Sequence, residues 1–507
     1  MLRILPVFIA FALFACSGSR TNTARDPNSL VRLADDEAKG LDPQKISDLA
    51  SLRIAMDQFE GLTRFSARGD VEPALASAPL VSADGLTWRY PLKPGVRFSD
   101  GVPITASLFV ALFVRLNAPE TASPTRALFE TIASVEAADL HTVIIKLRHP
   151  YPALGELLAH PALAAIPLHR KNWAEDRPLV TSGAYRLTDW VLNDHIAMEA
   201  NPAWHDGAPP TPRIRWQPVT DSLTSMRLFQ AGGADTTGDF PSARIKALKA
   251  SLGSAVHVVP YNGSYYFAFN TRKPPFNDAR IRRALNLATD RRWIAGPLMG
   301  IGTLPAWGII PPGTTGLSAY KPDWADWTRE RRFAAAARLL ASAGYGTHHP
   351  LMFDIRFNSD TDHRRVSVAL AAMWAPLGVK ARLLNSESSL HFASLKRADF
   401  ELARSGWIGD VAVPENFLAV HTSDGGPINY SGYANAAFDE ALRLAEADSN
   451  PARRALAMRR AEAILMDDAP ILPLYFYVSR ALVSPRVRGW VDNAANIHPS
   501  RTLEIHQ

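Results

Sequence analysis

The chain has 507 residues, of which 47% are hydrophobic and 21% are charged, and its formal net charge at neutral pH is +6. This length exceeds what one ordinary hydrophobic core serves, so we expect two to four domains. Lysine and arginine are interspersed with acidic residues and form no stripe, which argues against a nucleic-acid partner and predicts a mixed, solvated surface.

The first segment has the pattern of an export signal. Arg3 precedes an apolar run over residues 4–15, which has the length of a signal-peptide core and is too short to span a bilayer. Cys16 is the only cysteine, so no intramolecular disulfide can form. It closes the sequence LFAC, which is typical of a lipoprotein processing site. The alternative is an ordinary signal peptide that contains a cysteine. We predict a signal peptide over residues 1–16, lipidation of Cys16 and a polar tether over residues 17–27.

Three runs rich in β-branched and aromatic residues predict strands in the first part of the chain: TWRYPL (residues 87–92), HTVIIKLR (residues 141–148) and SYYFAFN (residues 264–270). A helix is predicted directly after Asn277 and Asp278, either of which can cap it. Its apolar residues recur at helical spacing: Ile281, Leu285 and Ala288.

Three further helices and one strand are predicted in the second part. RERRFAAAARLLASAG is rich in alanine and ends at Gly344. HRRVSVALAAMWAPLG carries apolar residues on one face and is broken by Pro376 and Gly378. NPARRALAMRRAEAILM begins with Asn450 as a cap and Pro451 in the first turn. The strand PILPLYFYV follows. This mixture of strands and helices predicts α/β or α+β lobes.

Common catalytic signatures are absent from the sequence. It has no G-x-S-x-G elbow, no phosphate loop and no H-E-x-x-H motif. GIGTLPAWG starts like a dinucleotide loop but has a proline in place of the third glycine. These absences weigh against an enzyme, and no cofactor or metal site is predicted.

Several motifs occur in an order that resembles the oligopeptide-binding proteins of ABC importers, the extracytoplasmic solute-binding family 5. They are LDPQKI, FEGL, GLTWRYPLKPGVRFSDGVPITA, TSGAYRLTDW, SYYFAFNTRKPPFNDARIRRALNLATDR, LLASAGY, GWIGD with PENFL, and APILPLYFY. The resemblance runs from about Leu41 to about Trp490. Members of this family bind peptides, nickel chelates, sugars or opines, so the resemblance does not by itself specify the ligand.

The resemblance implies an α/β fold of the two-lobed periplasmic-binding-protein type with an extra third domain. The first lobe is expected to be discontinuous and to comprise residues 28–59, 177–268 and 478–507. The extra domain would cover residues 60–176 and the second lobe residues 269–477.

A receptor for many peptides must bind what all peptides share, which is the backbone, the amine and the carboxylate. The resemblance implies that Asp410 binds the ligand's amino terminus and that the backbone of Gly406 and of Ile408 pairs with the peptide. Trp407 is expected both to wall the site and to pack in the core. The alternative for Asp410 is a residue that stabilises a turn.

Two basic residues are implied to bind the ligand's carboxylate: Arg404 for a short peptide and His363 for a longer one. A surface ion pair is the alternative for Arg404, and a helix-start residue for His363. Where the family has an acidic residue just after the LDP-x-K-I block, this chain has Ser47.

The function that the resemblance implies is that of an exported lipoprotein that captures oligopeptides and delivers them to an ABC transporter permease. Such a protein would be a monomer that needs no cofactor. One alternative keeps the fold and changes the ligand to a murein peptide, a sugar or an opine. Another is a sensor subunit that presents its ligand to a membrane receptor, and a hydrolase is the third.

Overall fold

The computed structural model describes residues 26–151, 153–312, 314, 318–409, 411–448 and 450–506. The expected signal peptide with Cys16, most of the tether, and Asp410 lie outside these residues. The strands are β1 (Ser29–Ala34), β2 (Thr63–Phe65), β3 (Val71–Pro73), β4 (Leu80–Val81), β5 (Thr87–Pro91), β6 (Ile132–Ala137), β7 (Thr142–Leu147), β8 (Tyr185–Val191), β9 (His195–Ala200), β10 (Arg213–Pro218), β11 (Val256–Phe269), β12 (Leu304–Pro305), β13 (Leu351–Asn358), β14 (Val379–Ser386), β15 (Leu402–Ile408), β16 (Ile471–Leu482), β17 (Val487–Arg488) and β18 (Glu504–Ile505). The helices are α1 (Leu49–Gln58), α2 (Ala106–Asn117), α3 (Leu154–Leu158), α4 (Ser222–Gln230), α5 (Ile245–Leu252), α6 (Ala279–Ala288), α7 (Arg291–Trp293), α8 (Arg329–Ser342), α9 (Thr361–Trp374), α10 (Ser388–Lys396), α11 (Pro414–Leu418), α12 (Ala436–Ala447) and α13 (Pro451–Asp468).

The predicted helices are confirmed, with one shift. Asp278 caps α6 by accepting the Arg280 N–H at 2.8 Å, and Asn450 caps α13. Helix α9 begins two residues before the predicted start, because Asp360 caps it by accepting the N–H groups of its first turn. It ends at Trp374, just before Pro376, since proline cannot donate the next helical hydrogen bond.

Two four-stranded sheets occupy the first half of the chain. The first sheet has the order β1-β10-β9-β8, with β1 parallel to β10 and the other pairs antiparallel. The second sheet, in the expected extra domain, is antiparallel with the order β4-β5-β7-β6. A single cluster of buried apolar side chains extends over both sheets. The expected extra domain therefore shares a continuous apolar core with the expected first lobe.

A six-stranded mixed sheet of order β12-β16-β11-β15-β13-β14 forms the centre of the second lobe. Alternate residues of β11 face opposite cores, so Tyr265 and Phe267 lie on one side and Tyr266 and Ala268 on the other. Helices α6, α8 and α9 cover the first side, and α12 and α13 cover the second. This layering of helices on both faces of a sheet confirms the predicted α/β class.

Two long strands connect the second lobe to the first. Strands β11 and β16 pair along most of their length, with a register shift between Pro260 and Ser264. Beyond this irregularity, Val483 bridges to Thr236, which itself bridges to Arg32 of the first sheet. The chain thus passes between the lobes on a paired ribbon that contains a bulge, where bending is easiest.

Among the described helices, none combines the length and the apolar character that crossing a membrane requires.

Candidate functional site

The edge of β15 that faces away from β11 is open where the site was predicted. Strand β13 pairs with β15 only at Leu402 and Ala403. Gly409 donates to the Asn262 carbonyl on the β11 side at 2.9 Å, whereas the Arg404 carbonyl points away and lies 2.9 Å from His391 Nε2. Because backbone groups alternate along an antiparallel strand, Gly406 and Ile408 direct their N–H and C=O groups to the open edge. The described residues place no strand there.

The absence of a side chain at Gly406 leaves space for neighbouring residues as well as for an approaching ligand. A Cβ at this position would overlap the Tyr477 hydroxyl and would come within 3.1 Å of the Ser264 carbonyl oxygen. Because Gly406 has no side chain, the Tyr477 hydroxyl can lie directly beside the open edge.

Arg404 lies in a cluster of aromatic side chains. Its guanidinium donates to the Tyr477 hydroxyl at 2.8 Å and to Asn358 Oδ1 at 3.3 Å, and its Cζ lies 5.0 Å from the centre of the Tyr265 ring. Tyr265 stacks on Tyr475 with 4.5 Å between ring centres. Within the described residues no carboxylate forms an ion pair with Arg404, and its buried Nε has no partner. This cation is positioned to receive an anion.

His363 belongs to the same cluster. Its Nδ1 lies 3.3 Å from the Tyr265 hydroxyl and 3.6 Å from Asp360 Oδ1. Burial, followed by the positive charge of Arg404, holds the pKa of His363 well below its usual range. The imidazole is therefore neutral at neutral pH, so Arg404 supplies the positive charge of this cluster.

Trp407 is half-buried and packs against the core on its side of the sheet. Its indole N–H donates to Asn416 Oδ1 at 2.9 Å, which fixes the ring. Asp410, the predicted partner of the ligand's amine, lies outside the described residues, so its role stays a prediction. Ser47 is exposed, and the acidic residue after it, Asp48, caps α1 by accepting the Ser51 N–H at 2.8 Å.

Sequence reasoning missed several residues of the site. His391 supports the strand edge, because burial lowers its pKa to about 4 and leaves a neutral ring whose Nε2–H can donate to the Arg404 carbonyl. Tyr475 and Tyr477 also escaped notice. Their spacing of two in a predicted strand indicates a shared face, and that pattern was the available signal.

A cavity of about 920 Å³ opens beside the end of β15. The extra domain contributes Phe65 and Trp88 to its wall, and the second lobe contributes Gly409 and Phe476. Tyr477 also lines it, so the cavity continues from the open strand edge. The other predicted site residues that the structure describes do not line it.

The extra domain and the second lobe touch beside this cavity. Glu156 Oε2 accepts the Ala412 N–H at 2.9 Å, and Arg454 donates to the Pro150 carbonyl at 3.3 Å. Val413 packs against the apolar core of the first half. Ala412 and Val413, which follow the predicted ligand-binding segment, therefore belong to the second lobe but also contact the first half of the chain.

Over the described ranges, no group of three or more His, Cys, Asp and Glu side chains could hold a metal ion.

Comparison with known proteins agrees with this architecture. The chain matches the family model described as bacterial extracellular solute-binding proteins, family 5 middle, over residues 70–428. It is 32% identical over 493 residues to the periplasmic oligopeptide-binding protein OppA of Escherichia coli (strain K12), which covers 92% of this chain and 90% of that protein.

Solved structures give the same result. The Escherichia coli murein tripeptide binding protein MppA is 31% identical and matches with a TM-score of 0.89, covering 94% of this chain and 98% of that chain. Haemophilus influenzae OppA in complex with RPPGFSPFR is 27% identical and gives 0.88, covering 95% and 99%. The unliganded open form of MppA, at the same 31% identity and with 94% and 97% covered, gives only 0.70. The overall arrangement of the chain is therefore more similar to that of the peptide complex than to that of the open form. With this two-lobed fold and a family match over most of its length, the chain belongs to the bacterial extracellular solute-binding proteins of family 5.

Proposed function

We propose that this protein is the substrate-binding component of an ABC importer and captures oligopeptides by their backbone and terminal charges. The observation that carries the proposal is the open edge of β15 at Gly406 and Ile408, next to the guanidinium of Arg404. An extended peptide can add to this edge as a strand, so main-chain hydrogen bonds hold ligands of different sequence. Arg404, with the His363 ring beside it, binds the peptide carboxylate.

Capture proceeds by closure of the two lobes and involves no catalysis and no cofactor. A ligand that contacts both sides of the cleft favours the closed arrangement by its differential affinity. The bulged ribbon of β11 and β16 serves as the hinge in this mechanism. Asp410 binds the peptide's amino terminus, as expected from its place after GWIG.

The remaining expectations complete the proposal. The first lobe comprises residues 28–59, 177–268 and 478–507, the extra domain residues 60–176 and the second lobe residues 269–477, and the paired strands β11 and β16 run across the boundary into the sheet of the second lobe. The protein works as a monomer outside the cytoplasmic membrane, anchored by lipid at Cys16, and hands its ligand to a permease.

A murein peptide is the second candidate ligand. The TM-score of 0.89 to a murein tripeptide binding protein supports it. Such a ligand still presents a terminal carboxylate for Arg404 and backbone amides for the edge of β15. The two candidates therefore share one site and differ in the side groups that the cavity must hold.

Two measurements test the proposal. Native mass spectrometry of the purified protein should show a co-purified peptide, and its mass separates ordinary peptides from murein peptides. Small-angle scattering of protein stripped of ligand should then show a radius of gyration that falls when a saturating peptide is added. A sugar or opine in the mass spectrum would contradict peptide capture, and an unchanged radius would contradict hinge closure.

Amine recognition needs its own test. Asp410→Asn keeps the shape of the side chain and removes its charge, so affinity for a free-amine peptide should fall by about 30-fold or more. N-acetylation of the peptide should weaken binding to the parent by a similar factor and have little effect on the variant. Equal losses in both proteins would show that the amine is held elsewhere.

A further inference from the structure

Among the described residues, the cavity beside β15 is lined by one half-buried carboxylate without a cationic partner, Glu156. Glu72 also lines the cavity but accepts from Arg64 at 2.8 Å and from Arg501 at 3.3 Å, so its charge is already paired. Glu156 is half-buried and accepts the Ala412 N–H, and no basic side chain of the described residues pairs with it. A carboxylate near apolar walls and lacking a cation attracts one.

A second feature of the same cavity is a buried polar group without a partner in the described ranges. Tyr90 lines the cavity with a side chain that is 0% exposed, and its buried hydroxyl has no hydrogen-bond partner in the described part of the chain. Leaving such a group unpaired in a protein interior is destabilising. A phenol oxygen can accept a hydrogen bond from an ammonium or guanidinium group.

The rest of the wall suits the stem of a long cationic side chain. Trp88 stacks on Tyr90 with 6.3 Å between ring centres, and Phe476 adds a third aromatic surface. Aliphatic stems of lysine and arginine pack on such surfaces, and their charged heads are attracted to aromatic faces. Two further charges on the wall, Arg68 and Asp70, are exposed and of opposite sign.

The course of strand β15 indicates which part of a bound peptide lies next to the cavity. Arg404 lies towards one end of the open edge, and the cavity begins at the other end, beside Gly409. A peptide with its carboxylate at Arg404 therefore points its amino-terminal half towards the cavity.

We propose that Glu156 binds the cationic side chain of a lysine or arginine near the amino terminus of the ligand. This inference rests on the proposed capture of peptides and names the peptides that are preferred. The Ala412 N–H holds one oxygen of Glu156 across the cleft, so the carboxylate takes its place only when the extra domain and the second lobe meet. A cationic side chain thus stabilises the closed arrangement in addition to binding in the cavity.

The test compares lysine with norleucine, which has a stem of similar shape and no charge. Peptides of three to five residues, otherwise alanine, carry one or the other at the first or second position. Calorimetry on the parent should show lysine bound about tenfold more tightly at one of these positions. In Glu156→Gln this preference should fall to less than about twofold, because the amide oxygen still accepts the Ala412 N–H but carries no charge.

Asp70→Asn is the matched control, since it removes an exposed carboxylate from the same cavity wall and should keep the lysine preference. Equal affinity for lysine and norleucine peptides in the parent, or a preference that persists in Glu156→Gln, would overturn the assignment while leaving peptide capture intact. If none of these peptides binds the parent, both the assignment and the proposed function fail. Thermal unfolding of each variant verifies that it is folded.

Discussion

Replacing Arg404 with methionine tests the carboxylate site most directly. The guanidinium is oriented by Tyr477 at 2.8 Å and by Asn358 at 3.3 Å, and no described carboxylate forms an ion pair with it. Opposite unit charges about 4 Å apart attract by about 4 kcal/mol at an effective dielectric constant of about 20. Desolvation of both groups offsets part of this attraction. We therefore expect a net contribution of about 2–3 kcal/mol, which corresponds to about 30- to 150-fold in affinity.

Calorimetry with a peptide and its C-terminal amide, on the parent and on Arg404→Met, isolates this contribution. Amidation should weaken binding to the parent by about 30-fold or more and binding to the variant by less than about threefold, and the difference is the coupling energy. Arg382→Met is a matched control. Arg382 lies in the same sheet, pairs with Asp354 at 2.7 Å and has a side chain that is 74% exposed, so its loss should leave the amidation effect unchanged.

Equal losses on amidation in the parent and in Arg404→Met would refute the reasoning. If the effect instead persisted in Arg404→Met and disappeared in His363→Gln, the carboxylate would be held by the imidazole. His363 would then either donate the N–H of its neutral ring or gain a proton on binding, since its pKa is lowered by burial and by Arg404 in the structure.

Three further predictions follow from other parts of the chain. Gly406→Ala places a methyl group against the Tyr477 hydroxyl, so urea unfolding should show a loss of about 1–3 kcal/mol. Adding Tyr477→Phe should restore stability but not affinity, because Arg404 then loses its hydroxyl partner; stability that stays low in the double variant would locate the strain elsewhere. Burial of Glu60 would raise its pKa, yet the hydrogen bond from His205 and the charge of Arg64 outweigh burial and lower the pKa from 4.5 to about 2. The stabilisation from Glu60 is complete above about pH 4.5 and lost as pH falls towards 2, so the parent should lose about 3 kcal/mol more of unfolding free energy over this range than Glu60→Gln; parallel pH profiles would contradict this. Cys16→Ser should move the protein from the membrane fraction to the soluble extract on cell fractionation, and unchanged fractionation would argue against lipidation.

Local signals determined which parts of the fold could be predicted. Helices α6 and α13 were predictable because the caps Asp278 and Asn450 and the apolar spacing lie within the segments themselves. The start of α9 was misplaced, since Asp360 competes with later residues for the cap. Strands β11 and β16 extend beyond the predicted runs, because their outer halves are stabilised by pairing with each other and not by their composition.

The site depended on pairings that the sequence does not display. The candidates Arg404 and His363 come together because Tyr265 contacts both of them, and no local pattern indicates this contact. The open edge arises because β13 stops pairing after Ala403, which is a property of the whole sheet. Glu156 lies in the expected extra domain, whereas Ala412, whose N–H it accepts, follows β15 of the second lobe. This contact is therefore visible only in the folded chain.

The open edge of β15 has a consequence for what the protein excludes. An unpaired strand edge on an outer surface accepts strands from any neighbour and promotes aggregation. Here the edge lies in a cleft. On one side, Glu156 accepts a hydrogen bond from the segment that follows the edge, and on another side Asp239 and Asp362 both form ion pairs with Arg480. A strand that is still part of a folded protein is too bulky for the lobes to shut around it. In the proposed mechanism the cleft therefore also excludes large ligands, and the exposed strand edge is accessible only to short, free chains.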